Sequence, residues 1–91
     1  MVIAKDGTDA DAPARRAAVR TAHLETAKEL LADGRLVTGG ALLDEDGNMI
    51  GSMLLLDVPD EKAARDLMEA DVYTRSGVWQ DLQIWPYRKA L

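Results

Sequence analysis

The order of strand-like and helix-like segments constrains the fold of this 91-residue chain more than any single motif does. Runs of apolar and β-branched residues bounded by Gly or Asp predict strands, and an Ala- and Leu-rich run with helical spacing predicts a helix. The predicted strands cover residues 1–5, 36–43, 50–57 and 79–86, and the predicted helices cover residues 13–33 and 59–70. This β-α-β-β-α-β order predicts a ferredoxin-like α+β fold, with a four-stranded antiparallel sheet and both helices on one face.

Turn and capping residues support these boundaries. Pro13 suits the first turn of a helix, and Gly34 suits the position just after its end. Asp60 is the expected N-cap of the second helix. Residues 44–48 form an acidic turn in which Gly47 can adopt positive φ, whereas residues 71–77 are expected to be a loop or short turn.

The third predicted strand indicates that both faces of the sheet are covered. A strand with one wet face alternates apolar and polar residues, but residues 53–56 are Met-Leu-Leu-Leu. A single domain of residues 1–91 is also small, and without cysteine it has no disulfide to stabilise it. We therefore predict a homodimer; the alternative is that the C-terminal tail covers the second face.

Charge and hydropathy exclude two classes of partner. The net charge of −5 and the pI near 4.7 argue against nucleic-acid binding, which needs a basic surface. The longest apolar run is far too short to cross a membrane. The N-terminus lacks the basic and apolar regions of a signal peptide, so a cytoplasmic location is expected.

His23, the only histidine, is the side chain best suited to proton transfer near neutral pH. It lies on a helical stripe with Val19, Ala27 and Leu30, a position also typical of a packed core residue. Asp71 follows the second helix, which should pack on the same face of the sheet, so its carboxylate can reach the imidazole. The pair would then form an acid–base unit; otherwise Asp71 only ends the helix.

Other residues carry weaker signals. Ser52 is the one hydroxyl within an apolar strand, and it suits either a donor to a substrate oxygen or close packing. Gly40, in a Gly-Gly pair, indicates close approach by a backbone or ligand, or a bulge. The acidic turn lacks the spacing of an EF-hand, and a lone histidine without cysteine argues against zinc. The aromatic residues suit a pocket or a core: Tyr73, Trp79, Trp85 and Tyr87.

Several segments, taken in order, resemble the YCII family of YciI-like proteins along nearly the whole chain. These segments are Arg20-x-x-His23-Leu24, Gly34-Arg35-Leu36 with Gly39-Gly40-Ala41-Leu42, Asp46-Gly47 with Ile50-Gly51-Ser52, Asp71-Val72-Tyr73, Gly77 and Trp85-Pro86-Tyr87. The chain departs from the family pattern at Ala41 and Val72, where the family has proline, and in its short first strand without an aromatic residue.

The resemblance implies a dimeric α+β barrel with an active site centred on His23 and Asp71. It also places Ser52 and Arg20 at recurrent family positions, and we predict that these two residues, with Gly40 and Tyr73, bind substrate. One characterised branch of the family resembles a dehydrochlorinase that acts on a chlorinated hydroxyhydroquinone.

The sequence thus predicts a small enzyme that needs no metal or organic cofactor and acts on a small cyclic or aromatic metabolite. Isomerisation or elimination suits a single proton shuttle better than hydrolysis, because no activated nucleophile is evident. Two alternatives are a non-catalytic module that binds a small molecule or a protein, and a cofactor-free oxygenase of the same architecture.

Overall fold

A computed structural model describes all residues 1–91 and contains four strands and three helices. The strands are β1 (Val2–Asp6), β2 (Leu36–Leu43), β3 (Met49–Leu56) and β4 (Trp79–Ile84). The helices are α1 (Ala12–Asp33), α2 (Glu61–Ala70) and α3 (Val72–Arg75). No helix is both long enough and apolar enough to span a membrane.

The four strands form one antiparallel sheet in the order β2-β3-β1-β4. The crossover through α1 places β2 two strands away from β1, and β3 fills the gap between them. This topology confirms the predicted ferredoxin-like α+β fold.

The core lies between the helices and one face of the sheet. Val2 and Ala4 of β1 are fully buried on that face, where they pack with Leu54 of β3. Leu30 from α1 and Met68 from α2 cover them from the helical side. Alternate residues of each strand point to this face of the sheet. Their side chains stabilise the domain because each removes apolar surface from water when it packs against the helices.

The expected capping residues act at the ends of the two long helices. Gly34 ends α1 in the left-handed conformation, with φ of 87°, and its N–H donates to the Leu31 carbonyl. Asp60 caps α2, since its side chain accepts a hydrogen bond from the Ala63 N–H at 2.8 Å. Both predictions are confirmed.

Several strand and helix ends lie one or two residues from the predicted positions, and two differences from the prediction bear on the site. Residues 72–75 form the short helix α3 rather than a loop, because the Asp71 side chain accepts from the Tyr73 N–H and caps a further helical turn. Strand β1 continues one residue further than predicted, to Asp6. Period-2 alternation then puts Asp6 on the same face as Val2 and Ala4.

A row of small side chains crosses the middle of the sheet on the helical face. Ser52 of β3 is directly opposite Ala4 of β1 on one side and opposite Ala41 of β2 on the other. Short side chains in adjacent strands leave space between the sheet and α1.

Gly51 is required by the close approach of β1, which gives a test of the sheet packing. A Cβ at Gly51 would lie 2.5 Å from the Ala4 carbonyl oxygen, whereas a Cβ at Gly40 would meet nothing within 4 Å. Gly51→Ala should therefore lower the free energy of unfolding by about 1–3 kcal/mol, as overpacking does. Urea unfolding at one protein concentration measures the change. Gly40→Ala is the matched control and should cause no comparable loss; equal stability of the two variants would contradict this account.

Candidate active site

His23 and Asp71 form a buried pair between α1 and the end of α2. The His23 Nδ1 and Asp71 Oδ1 atoms are 2.8 Å apart, and the two side chains are only 10% and 4% exposed. A carboxylate only accepts hydrogen bonds, so Nδ1 carries a proton and the Nδ1–H group donates a hydrogen bond to Asp71 Oδ1. In the neutral ring Nε2 is then left as the acceptor, and no protein group occupies it.

Aromatic rings fix the orientation of the imidazole. Tyr73 stacks on His23, with ring centroids 3.8 Å apart and planes within 7° of parallel. Trp79 meets His23 edge-on at 5.3 Å and Tyr73 edge-on at 5.4 Å. Because rings on two sides and a carboxylate at Nδ1 restrict it, the imidazole presents Nε2 in a defined direction.

A second buried ion pair, which the sequence analysis missed, lies two helical turns before His23. Nη1 of Arg16 donates to both carboxylate oxygens of Asp6 at 3.0 Å, and Nη2 donates to Ser52 Oγ at 3.1 Å. The Arg16 guanidinium also lies 4.9 Å from the centre of the Tyr73 ring, while its Nε is buried without a hydrogen-bond partner. Two signals could have revealed this pair. Arg16 is seven residues before His23 on the helix, and Asp6 continues the buried alternation of β1.

Ser52 links Arg16 to Trp79, the ring that packs edge-on against His23. Its Oγ accepts from Arg16 Nη2 at 3.1 Å and from Trp79 Nε1 at 3.2 Å. A hydroxyl oxygen has two acceptor positions and one proton, so both lone pairs of Ser52 are engaged. Its remaining capacity is the O–H donor.

The predicted site residues converge on one cavity of about 270 Å³ between α1, α3 and the β2–β3 half of the sheet. Arg20, His23, Gly40, Ser52 and Tyr73 all line it, and Asp71 lies behind His23. Its remaining lining residues are Arg16, Leu24, Ala27, Leu36, Gly39, Ala41, Met49 and Leu54. The volume is just below the usual range of about 300–1,000 Å³ for ligand pockets, which suits a small ligand.

The aromatic residues separate into two groups. Tyr73 and Trp79 are buried beside His23, whereas Trp85 and Tyr87 are exposed and border a different cavity near Met1 and α2.

In the acidic turn, the carboxylate of Asp44 accepts hydrogen bonds from the N–H groups of Asp46 and Asn48 and so closes the β2–β3 hairpin.

Burial and charge act in opposite directions on Tyr73. Burial raises the pKa of its hydroxyl above the ordinary value, while the positive charges of Arg16 and Arg20 lower that pKa. The net shift is upward, so Tyr73 stays neutral at physiological pH and serves as an uncharged ring against His23.

The fold and the site together define a small ferredoxin-like α+β domain with a buried His–Asp pair beside a ligand-sized cavity. The family model of the YCII-related domain matches residues 1–88. The chain belongs to this family, which confirms the resemblance drawn from the sequence motifs.

Relatives of similar length support the assignment. An uncharacterised protein of Haemophilus influenzae is 35% identical over 81 residues, which cover 82% of this chain and 83% of the relative. Protein YciI of Escherichia coli is 31% identical over 86 residues, covering 88% of each chain.

A solved structure shares the fold. The chain resembles 5-chloro-2-hydroxyhydroquinone dehydrochlorinase of Burkholderia phenoliruptrix, determined in complex with 2,5-dihydroxybenzoquinone, with a TM-score of 0.75. The match covers 96% of this chain and 92% of the other at 22% identity. At that identity the likeness establishes a common fold.

The buried Arg16–Asp6 pair predicts a strong stability effect. Asp6→Asn should lower the free energy of unfolding by about 3–5 kcal/mol, because it leaves a buried guanidinium without a counter-charge. Urea unfolding at fixed protein concentration measures the loss. Asp66→Asn is the matched control, since Asp66 pairs with the largely exposed Lys62 and its loss should have little effect. Equal stability of the two variants would show that Arg16 does not depend on Asp6.

Proposed function

We propose that the chain is a small enzyme that uses the His23–Asp71 pair for acid–base chemistry on a small cyclic or aromatic metabolite. The observation that carries the proposal is the state of the imidazole. Nδ1 is bound to a buried carboxylate, whereas Nε2 has no protein partner and His23 lines a ligand-sized cavity. A histidine that served only the core would be expected to have both ring nitrogens satisfied.

The proposed step is a proton transfer at Nε2. The neutral imidazole takes an acidic proton from the bound metabolite, and the Asp71 carboxylate stabilises the imidazolium that forms. In an isomerisation the proton returns at a second position of the same molecule. In an elimination the electron pair left behind expels a leaving group, and the proton is released to solvent.

Hydrolysis through a serine nucleophile is disfavoured by the contacts of Ser52. Its Oγ accepts from two donors, and no imidazole or carboxylate is within hydrogen-bonding distance to take its proton. Elimination has additional support from the fold relative, because a dehydrochlorination is an elimination.

Exchange of a substrate C–H proton with solvent is the direct test, because it reports proton abstraction whatever the subsequent step. A panel of enolisable cyclic ketones and hydroxylated or chlorinated aromatics would be incubated with the protein in D₂O and followed by NMR. For a compound that exchanges, His23→Gln and Asp71→Asn should each slow the exchange by about 10²- to 10⁴-fold, the usual contribution of a positioned acid–base group.

Controls separate a chemical role from a structural one. Asp66→Asn removes an exposed carboxylate of α2 and should leave the exchange rate unchanged. Circular dichroism should show that the two site variants are folded. Wild-type exchange in folded His23→Gln would refute the proposed chemistry and favour a non-catalytic binding module.

We further propose that the helix-free face of the sheet is the interface of a homodimer. Ile3 of β1 pairs with Met53 of β3, and both side chains are half-buried on this face, as is the neighbouring Leu55. These residues leave apolar surface in water where a solvated sheet would present polar side chains. A second copy of the same face would cover that surface with matching chemistry.

Charge placed on this face should prevent dimerisation. Sedimentation equilibrium of the wild type should give twice the chain mass of 9.9 kDa, and Met53→Asp should give a monomer because burying an unpaired carboxylate is costly. Leu31→Asp is the control, since Leu31 is an exposed apolar residue of α1 outside the sheet. A monomeric wild type, or dimers of Met53→Asp, would contradict the proposed interface.

A further inference from the structure

The cavity beside His23 combines positive charge, hydrogen-bond donors and apolar walls. We propose that it selects small organic anions, with Arg20 recognising the charge and the Ser52 hydroxyl donating to the same oxyanion. This inference rests on the proposed function for the position of the reacting proton, and it names the class of molecule that the site accepts.

The charge lining the cavity is positive. Its charged or titratable nitrogen groups are Arg16, Arg20 and His23, and no Asp or Glu lines it. Asp6, outside the cavity lining, neutralises Arg16. Asp71, also outside the lining, accepts a hydrogen bond from the His23 ring, which is neutral before the proposed proton transfer. This local balance contrasts with the net charge of −5 of the whole chain.

Arg20 is the uncompensated charge. It is exposed and makes no salt bridge and no side-chain hydrogen bond, whereas the other nitrogen groups of the lining, Arg16 and His23, are both paired. It lies one turn after Arg16 and three residues before His23, so the three side chains share one face of α1. It lines the cavity together with Tyr73.

Ser52 adds a donor of fixed direction. Because its Oγ already accepts from Arg16 and Trp79, the hydroxyl can contribute only its proton to a ligand. The two side chains that donate to Ser52, Arg16 and Trp79, are buried and fixed in place. The O–H group is therefore preorganised in the manner of an oxyanion-stabilising group. A ligand oxygen with negative charge accepts such a bond more strongly than a neutral oxygen does.

The walls restrict the remainder of the ligand. Seven of the 13 lining residues are hydrophobic, and the cavity is about 270 Å³. An inorganic anion would leave these walls without contacts, whereas one six-membered ring bearing a carboxylate or phenolate oxygen would bury its apolar carbon against them. The ligand class is therefore a small ring with one anionic oxygen and an acidic proton within reach of His23 Nε2.

Benzoate and benzamide test the charge requirement, since they differ mainly in that one group. The single histidine gives one set of imidazole NMR signals, so their shifts report ligand at this cavity. Titrations near neutral pH should give saturable binding of benzoate, with benzamide at least about tenfold weaker, as expected for loss of a charge-assisted hydrogen bond. Inorganic phosphate should not compete with benzoate.

Variants of Arg20 test whether this residue is responsible for the preference for benzoate over benzamide. Arg20→Gln should weaken benzoate about tenfold and leave benzamide unchanged, whereas Arg20→Lys should keep most of the affinity because the charge remains. Arg65→Gln, which removes an arginine from α2 that pairs with Glu61, is the control for net charge and should match the wild type.

Three results would overturn the inference: no binding of benzoate, equal binding of benzamide, or unchanged benzoate binding in Arg20→Gln.

The proposal of anion selection and the proposal of acid–base chemistry at His23 fail in different ways. Loss of anion selectivity would leave the deuterium exchange and its dependence on His23 intact. Wild-type exchange in His23→Gln, with anion binding still dependent on Arg20, would refute the acid–base chemistry alone.

Discussion

A single carboxylate oxygen, Oδ1 of Asp71, connects the three helices of this domain. It accepts from the His23 imidazole of α1 and from the Tyr73 N–H at the start of α3, and its own residue ends α2. Because the same bond that begins α3 also places Tyr73 against His23, the stacked rings follow from the position of Asp71. Local capping and the geometry of the site therefore depend on the same interaction.

The domain buries four polar or charged residues beside a modest core, and it does so by pairing them. Arg16 is balanced by Asp6, Asp71 is bound to His23, and Ser52 accepts from two donors. Isolated buried charges would be prohibitively unfavourable, so the two pairs are what permits polar groups to surround the cavity. The pairing also leaves the polar groups rigid, which is the property that an acid–base site requires.

Much of the fold could be predicted from local patterns, whereas only part of the site could. The strands follow from apolar runs bounded by Gly or Asp, and the helix ends follow from Gly34 and Asp60. The topology implied that Asp71 could reach His23. The Arg16–Asp6 pair had only weaker signals, the helical spacing of Arg16 from His23 and the alternation that continues to Asp6, and neither signal identifies the partner. An arginine on a helix is usually solvated, and the partners are brought together only when α1 packs on β1.

Helix α3 was missed for a different reason. A segment of four residues is too short for helical periodicity to be detected, and its formation depends on one capping side chain. The family resemblance selected the same His–Asp pair as the topology did, but it gave no signal for Asp6, whose role depends on extending β1 by one residue.

The row of small side chains across the sheet has a consequence for how the site can change. Ala41 faces the cavity from β2, in register with Ser52, and belongs to neither ion pair. Larger residues at this position would reduce the space for a ligand while leaving the imidazole, its carboxylate and the arginines in place. Under the proposed function, ligand size and proton transfer would therefore depend on different residues, so one could diverge among related proteins while the other is retained.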